Sequence, residues 1–469
     1  MNSNNDPVSA AELYSEARSL LDVKDYSLAL QLLRQLCAID PDFALYREEL
    51  DNILALEVGE TPSLQPAPDL LPDLNYERSP APQRFSGRYG LYPDLTGRRQ
   101  AEGGLRLDGI FKANQPGLPL VTIVTAVFHN VDSFQRCIDS VMRQTYANVE
   151  YIVIDGGSND GTLDLIRRNE DVIDYFISEP DSGIYSAMNK GIELAQGEYI
   201  CLLNSDDFYV EDYVEKAVKI AMTSSVRPDV VFTDYNHGGK YMTAQAIGPG
   251  VLLGHLNICH NTFLVNARAY DRIGPYEESQ KIVSDAIWIR AAHMAGLRFA
   301  HLPEALFTLT EGGLSSGNTE ARRQLFIREV AESYRRVFPE LGHSDAEELY
   351  LFRFNKTRIK AVLEIARRHC GNPLFCAALR DYTQYCFAHR ANFNLGPKDA
   401  ETLFPEYIAL CNLLGVDRRS ISISTKNGSF SELLAQIDAV LRHRKNGAAF
   451  CNSVLGTFRD LHIRSAYAA

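Results

Sequence analysis

Three aspartates directly follow strand-like runs in the middle of the chain, and their carboxylates could bind a metal ion. Asp155 ends the run VEYIVID, and Asp206 and Asp207 follow the run YICLLNS. If both runs are parallel strands of one sheet, their carboxyl ends lie at the edge where open α/β sheets form the ligand crevice. Carboxylate oxygens suit Mg²⁺ or Mn²⁺, which would bridge to a substrate phosphate. The sequence therefore predicts a site for a metal-bound, phosphate-bearing ligand.

Each acidic segment also has a purely structural interpretation. Residues 155–158, DGGS, are typical of a tight turn between a strand and a helix. Residues 204–207, NSDD, are typical of a helix N-cap. Both interpretations stay open for either segment alone, but three acids at the ends of two strands favour a binding site.

Strands and helices alternate from Pro119 onward, and these elements must position the acids. We expect strands over residues 120–127, 149–154, 175–177, 199–203, 229–235 and 299–309. We expect helices over residues 131–142, 162–168, 182–196, 212–222 and 284–296, with Ser182-Gly183 beginning the third and Gly197 closing it at the position after the C-cap. Alternation of this kind predicts an α/β fold, with a mostly parallel sheet and helices on both faces.

The composition divides the 469-residue chain into four predicted parts. Residues 1–57 resemble one tetratricopeptide unit, a helical hairpin that either binds a partner or packs on this chain or another copy. Residues 58–118 form a proline-rich linker or strap, and residues 119–318 form the α/β domain. Residues 319–469 have helical spacing without strands. The two helical ends are candidates for binding a protein partner or for self-association.

The net charge of −13 argues against nucleic acid as a partner, because nucleic acid favours clustered Lys and Arg. A small anionic ligand is still compatible with this charge, because a bound cation inverts the local sign. Residues 241–267 carry no charged side chain, but glycine, proline and polar residues interrupt the stretch too often for a membrane span. We therefore expect a soluble, cytoplasmic protein.

Five motifs follow one another within residues 104–316: PLVTIVTAVFHN, VIDGGSNDGT, SEPDSGIYSAMNKGI, LLNSDD and SDAIW. In this order they resemble the family 2 glycosyltransferases of the GT-A fold. The bacterial members that build exopolysaccharide or colanic-acid-like chains are the most similar. The resemblance implies an inverting, metal-dependent enzyme that moves a sugar from a nucleotide-sugar donor to a glycan or lipid-linked acceptor.

The resemblance also implies roles for the acids. Asp206 and Asp207 are similar to the D-x-D motif, in which Asp206 would contact the ribose and Asp207 would bind Mn²⁺ or Mg²⁺. Asp285 in SDAIW matches the general base, which takes the proton from the attacking hydroxyl. From position alone, Asp285 could instead stabilise its helix through the dipole.

The other matched residues concern the donor. Thr125, Val127 and Asn130, in the loop after the first strand, would bracket the nucleotide base, and Asp155 would hydrogen-bond the base or ribose. The remaining donor-binding candidates are Asp181, Asn189, Lys190 and His260. Asp181, together with Glu179, either shapes the donor pocket or caps the following helix, and His260 either contacts substrate or is a structural histidine. Residues 312–316 resemble a loop that closes over the donor, or form a simple turn.

Two other functions stay open. A sugar nucleotidyltransferase would share the sheet and the metal, but it needs a Gly-rich basic loop where residues 127–130 read VFHN. A non-catalytic scaffold would carry a degenerate central domain, which the intact acids argue against.

A lipid-linked acceptor would place the enzyme at the inner face of the membrane, where it would be attached peripherally.

Overall fold

A computed structural model describes residues 91–92, 94, 97–254, 257–310, 319–389, 406 and 409–415. The predicted hairpin over residues 1–57, most of the predicted strap and the predicted loop over residues 312–316 lie outside this part of the chain. Apart from Met222–Arg227, all described residues belong to one compact unit.

The strands are β1 (Ala101–Gly103), β2 (Val121–Val127), β3 (Val149–Asp155), β4 (Tyr175–Ser178), β5 (Tyr199–Asn204), β6 (Phe208–Tyr209), β7 (Val230–His237), β8 (Lys240–Met242), β9 (Leu264–Asn266) and β10 (Phe299–Leu309). The helices are α1 (Phe134–Met142), α2 (Thr162–Arg168), α3 (Ile184–Leu194), α4 (Tyr213–Thr223), α5 (Ala267–Ile273), α6 (Ser284–Met294), α7 (Glu320–Val337), α8 (His343–Phe352), α9 (Ile359–His369) and α10 (Pro373–His389).

The described strands form one mixed sheet in the order β1-β4-β3-β2-β5-β9-β7-β10-β6, with β8 paired to β7. Its long ladders, β2 with β3, β2 with β5 and β7 with β10, are parallel. Its antiparallel ladders are short. Every residue of β2 is buried, as expected for a strand covered on both faces. The predicted α/β class with a mostly parallel central sheet is confirmed.

The chain reverses its direction across the sheet between β2 and β5. From β2 it adds β3 and then β4 on one side, and it then returns to place β5 on the other side of β2. Loops at the carboxyl ends of two such strands diverge and leave a crevice between them. The loops after β2 and β5 therefore flank the expected ligand site.

Residues beyond the predicted α/β core also join the sheet. β1, which lies in the predicted strap, pairs antiparallel with β4. The end of β10 pairs with β6, so that Thr308 lies opposite Phe208. This pairing brings the residue after β10 next to the acids that precede β6.

The end of α3 differs from the prediction. Its C-cap is Ala195 in an extended conformation, and Gly197 is not among the glycines with positive φ. The prediction that Gly197 closes this helix is therefore wrong. A Cβ atom on Gly197 would lie 2.6 Å from the backbone nitrogen of Thr122, so glycine is needed for close approach to β2.

Helices α7–α10 share an apolar core with the sheet domain. One cluster of buried residues includes Leu202 of β5, Trp288 of α6, Tyr334 of α7 and Tyr382 of α10. The four-part domain organisation stays a prediction, and the described residues on both sides of position 319 contribute to this core. No described helix is long and apolar enough to cross a membrane.

A buried ion pair lies at the amino end of the sheet. Glu150, near the start of β3, accepts a 2.6 Å hydrogen bond from Arg106, and both residues are at most 2% exposed. The other carboxylate oxygen accepts from the Thr122 hydroxyl and the Gln196 amide. Hydrogen bonds and a full counter-charge together compensate for the burial of this carboxylate.

Candidate active site

The loops after β2 and β5 contact each other at the carboxyl edge of the sheet. The Asn130 side-chain amide donates to the Ser205 hydroxyl at 2.8 Å, and the Asn130 backbone amide donates to Thr162. Phe128 is 60% exposed at this edge and stacks on His129, whose φ of 49° is unusual for a residue other than glycine. An exposed aromatic ring and a strained backbone at strand ends are typical of a binding site.

Asp207 is a buried carboxylate at the centre of this edge. It is 1% exposed, and its two oxygens accept hydrogen bonds from the Asn261 amide at 3.0 Å and the Thr310 backbone amide at 2.8 Å. Burial, with a smaller contribution from the Asp206 charge, raises the pKa of Asp207 to about 7. No Lys or Arg among the described residues forms an ion pair with it. A raised pKa in a crevice is a physical marker of a functional acid.

Asp206 is half-buried beside it, and burial also raises the pKa of Asp206. The Arg136 guanidinium donates to the Asp206 carbonyl at 3.1 Å and to the Thr310 hydroxyl at 3.0 Å, and it lies 4.5 Å from the centre of the Phe208 ring. Arg136 therefore joins α1, the loop after β5 and the end of β10, and it holds the backbone around both acids.

Asp285 lies in the first turn of α6, as predicted, and faces two partners. One oxygen lies 3.1 Å from Nδ1 of His260, and the other lies 3.2 Å from the Tyr185 hydroxyl. The Asp285 side chain is 21% exposed, so solvent or a substrate can reach it. Tyr185 also donates to the Ile282 carbonyl at 2.8 Å, and this contact fixes its ring beside the carboxylate.

A single turn of 3-10 helix, His260–Thr262, connects the two acidic groups. His260 contacts Asp285, and the next residue, Asn261, donates to Asp207. The Asn261 carbonyl in turn accepts from the Tyr209 hydroxyl at 2.8 Å, which anchors the turn to β6. The turn therefore sets the spacing between the Asp207 and Asp285 carboxylates.

Asp155 is fully buried at the end of β3. One carboxylate oxygen accepts from the Ser158 hydroxyl and the other accepts from the Ser158 amide and the Ser178 hydroxyl. The predicted turn over residues 155–158 is therefore built on this side chain. Its partners in this structure are protein groups, and the predicted hydrogen bond to the base or ribose stays a prediction.

Two of the predicted base-bracketing residues lie within β2 and not in the loop after it. Thr125 is fully buried and its hydroxyl accepts from the Tyr151 hydroxyl at 3.2 Å. Val127 is the last strand residue and is 3% exposed, and its carbonyl accepts from the Gly156 amide. The predicted loop position is therefore wrong for both, because the ladder to β3 continues through Asp155. Only Asn130 lies in the loop.

The donor-binding candidates around α3 make local contacts. Asp181 accepts from the Gly183 amide at 2.8 Å, and burial raises the pKa of Asp181. Lys190 donates to Glu179 at 2.6 Å, and Glu179 is itself paired with Arg99. Asn189 exchanges two hydrogen bonds with the backbone of Tyr276.

The structure thus brings together Asp206, Asp207, His260 and Asp285, and it places Asn130 and Asp155 along the same edge. Thr125 lies buried beneath this edge, and the Asn189 side chain is hydrogen-bonded to the Tyr276 backbone. Four contributors were missed from sequence, namely Asn261, Thr310, Tyr185 and Arg136. Their signals were weak: Asn261 and Thr310 lie 54 and 103 residues from Asp207 along the chain.

Comparisons with known proteins agree on the central region. Residues 122–304, less than half of the chain, match the model of the family described as Glycosyl transferase family 2. An uncharacterized glycosyltransferase of Rickettsia typhi is 29% identical over 197 residues, which cover 39% of this chain and 62% of that protein. A PGL/p-HBAD biosynthesis glycosyltransferase of Mycobacterium bovis is 28% identical over 179 residues, covering 36% of this chain and 67% of that protein.

Among solved structures, the crystal structure of S. aureus TarS covers 63% of this chain at 16% identity, with a TM-score of 0.40. The match spans 54% of the TarS chain. The central region is therefore similar to the family 2 model, and the two sequence relatives carry glycosyltransferase names.

Proposed function

We propose that this protein is an inverting, metal-dependent glycosyltransferase that moves a sugar from a nucleotide-sugar donor to a hydroxyl of a glycan or lipid-linked acceptor. The observation that carries the proposal is the His260–Thr262 turn. It holds the Asp207 carboxylate through Asn261 and the Asp285 carboxylate through His260. One carboxylate suits a metal and the other suits a general base, which are the two functions that sugar transfer needs.

The described residues fit a divalent cation whose coordination is completed by the substrate. Asp206 and Asp207 would hold it, and no group of three His, Cys, Asp or Glu side chains elsewhere in the described chain could form a closed metal site. Mg²⁺ and Mn²⁺ are commonly bound by one or two carboxylates together with substrate phosphates. When bound, the cation would neutralise the negative charge that develops on the leaving nucleoside diphosphate.

Asp285 would act on the acceptor side. Its carboxylate would take the proton as an acceptor hydroxyl attacks the anomeric carbon and the bond from that carbon to the diphosphate breaks. With the proton on Nδ1, His260 donates to one oxygen of Asp285 and keeps that carboxylate oriented. A single displacement needs one base and no protein nucleophile, and it inverts the anomeric configuration.

Donor recognition would use the crevice between the loops after β2 and β5. The exposed Phe128 ring and Asn130 would border the crevice between the loops after β2 and β5, and Asp155 fixes the turn after β3. Asp181, with its raised pKa, lies at the start of α3 on the far side of this turn. Lipid-linked acceptors would place the reaction at the inner face of the membrane, and the product would enter cell-surface polysaccharide.

Donor hydrolysis by the purified full chain tests this proposal without a known acceptor. UDP-, GDP-, dTDP- and CMP-sugars are incubated with Mn²⁺ and with EDTA, and the released nucleotide is measured. We expect metal-dependent release from one nucleotide class. A nucleotidyltransferase would instead form a nucleotide-sugar from a nucleoside triphosphate and a sugar phosphate. A scaffold would show neither reaction and no Mn²⁺-dependent nucleotide binding.

A further inference from the structure

A cavity of about 510 Å³ lies beside the candidate base, outside the loops that flank the donor crevice. Its walls are the start of α3, the segment before α6 and the start of α7, and the residues used below are Tyr185, Glu278, Lys281, Ile282, Arg322 and Leu325. Small-molecule sites typically have volumes of about 300 to 1,000 Å³. The cavity is therefore large enough for a sugar with a substituent.

One side chain, that of Tyr185, lies between the cavity and the Asp285 carboxylate. Tyr185 lines the cavity, and the Tyr185 hydroxyl lies 3.2 Å from an oxygen of Asp285. The same hydroxyl donates to the carbonyl of Ile282, another lining residue. A molecule in the cavity would therefore lie against Tyr185, the side chain that contacts Asp285.

Two cations face this cavity. Arg322 is half-buried, and its Nε atom is buried with no hydrogen-bond partner among the described residues. Lys281 is exposed and makes one long contact, 3.2 Å from Nζ to the Ser182 carbonyl. A buried donor without a partner costs free energy, so a ligand that accepts from Arg322 would recover it.

Glu278, the one acid among the described residues that line the cavity, already has partners. Glu278 accepts from the Ser182 hydroxyl at 2.8 Å and from the Asn189 amide at 3.2 Å. Burial acts to raise the pKa of Glu278, but these hydrogen bonds outweigh it and lower the pKa. The carboxylate is therefore satisfied by protein donors, and the cations keep their capacity for a ligand.

Two helices also begin at this cavity. Gly183 is the N-cap of α3 and no side chain caps the first amides of that helix, whereas Thr319 caps α7 through the Arg322 amide. The amino end of a helix carries a partial positive charge and free amide donors. Both ends add to the field of Lys281 and Arg322, while Ile282 and Leu325 supply apolar surface.

We propose that this cavity is the acceptor subsite and that it takes an acceptor carrying a phosphate group, which Arg322 and Lys281 bind. The inference rests on the proposed function, because it names the class of molecule whose hydroxyl meets Asp285. Arg322, with its planar fork of donors, contacts the phosphate oxygens, and Lys281 adds a second charge at the mouth. The phosphate belongs either to a sugar phosphate or to a lipid-like phosphate, and the two share this recognition.

Binding of two phosphate probes by the purified full chain tests the inference. Glucose 1-phosphate represents the sugar source and hexyl phosphate the lipid-like source, with methyl glucoside and hexanol as their neutral counterparts. Dissociation constants are measured by calorimetry in EDTA, which removes metal that would attract phosphate to the donor crevice. We expect at least one phosphate probe to bind, and its neutral counterpart to bind roughly tenfold more weakly or not at all.

Arg322→Gln removes the charge and leaves a shorter polar side chain, and we expect it to weaken binding of the phosphate probe roughly tenfold. Lys281→Gln should have a smaller effect, because Lys281 is exposed. The matched control is Arg323→Gln, since Arg323 is the neighbouring exposed arginine and does not line the cavity. It should bind the probe as the parent does.

Two results of the binding experiment overturn the inference: neither phosphate probe binds, or Arg322→Gln binds the probe as tightly as the parent. Donor hydrolysis decides the proposed function separately. Metal-dependent hydrolysis without phosphate binding would contradict the acceptor subsite and leave the transferase proposal standing. Arg322-dependent phosphate binding without donor hydrolysis would overturn the transferase role, and with it the acceptor assignment.

Discussion

Glu150 and Asp207 are buried to the same degree at opposite edges of one sheet, and they differ in what compensates for their charge. Each is 1% exposed. Glu150 has Arg106 at 2.6 Å, a counter-charge that the chain itself supplies. For Asp207, burial first and the neighbouring Asp206 charge second raise the pKa to about 7, although the two neutral hydrogen bonds that it accepts act to lower it. The first carboxylate is structural, and we propose that the second binds a cation from solution.

The largest expected effect is on the structural carboxylate. Arg106→Leu leaves the Glu150 charge buried without its partner, and we expect it to lower the free energy of unfolding by about 3 to 5 kcal/mol. Urea denaturation measures this loss. Replacing both residues with apolar ones should recover most of the stability. If Arg106→Leu is as stable as the parent, Glu150 does not depend on its counter-charge, and the contrast with Asp207 is lost.

Asp285→Asn should lower donor hydrolysis by roughly 100-fold or more, because the carboxylate no longer takes a proton from the attacking water or hydroxyl. Donor affinity should not change, since Asp285 contacts His260 and Tyr185 and not the loops after β2 and β5. Initial rates and a donor titration measure the two quantities.

Asp345→Asn is the matched control for Asp285, because Asp345 also lies in the first turn of its helix, α8, and pairs with Arg368. This variant should lower the stability slightly and should not change the rate of donor hydrolysis. Equal losses in the two variants would mean that Asp285 acts only through the helix dipole.

Asn261→Ala removes the side-chain donor to Asp207 and should weaken Mn²⁺ binding roughly tenfold, as is usual for groups that orient a metal-binding side chain. Asn148→Ala is its control. Asn148 is also buried and donates through its amide, but to the Ala113 and Leu118 carbonyls at the amino end of the sheet. It should lower stability and not Mn²⁺ affinity, and equal Mn²⁺ affinity in both variants would contradict the role of the turn.

The strands and the acids at their ends were predictable, and their contacts were not. β2, β3 and β5 form where apolar β-branched runs predicted them, within a residue at either end, because local pattern suffices for buried strands. The partners of Asp207 depend on β6 meeting β10 and on the His260–Thr262 turn packing beneath β6. Such pairings form between distant segments, and no pattern near Asp207 encodes them. Gly197 shows the same limit, since packing against β2 and not helix termination explains it.

The pH dependence of Mn²⁺ binding tests the central claim most directly. A carboxyl group whose pKa rises from 3.8 to about 7 on folding holds a proton in the native state across that range. Without metal, this group stabilises the fold at low pH, and the contribution is lost as the pH rises through about 7. Mn²⁺ must displace the proton, so its affinity should rise about tenfold per pH unit below 7 and level off above it.

Electron paramagnetic resonance of free and bound Mn²⁺, from about pH 5.5 to pH 8.5, measures this affinity in the parent and in Asp207→Asn. We expect the parent to bind more tightly as the pH rises to about 7, and the variant to bind weakly at every pH. Affinity that is independent of pH in the parent, or equal in the variant, would contradict the assignment of Asp207 as the carboxylate that awaits a metal.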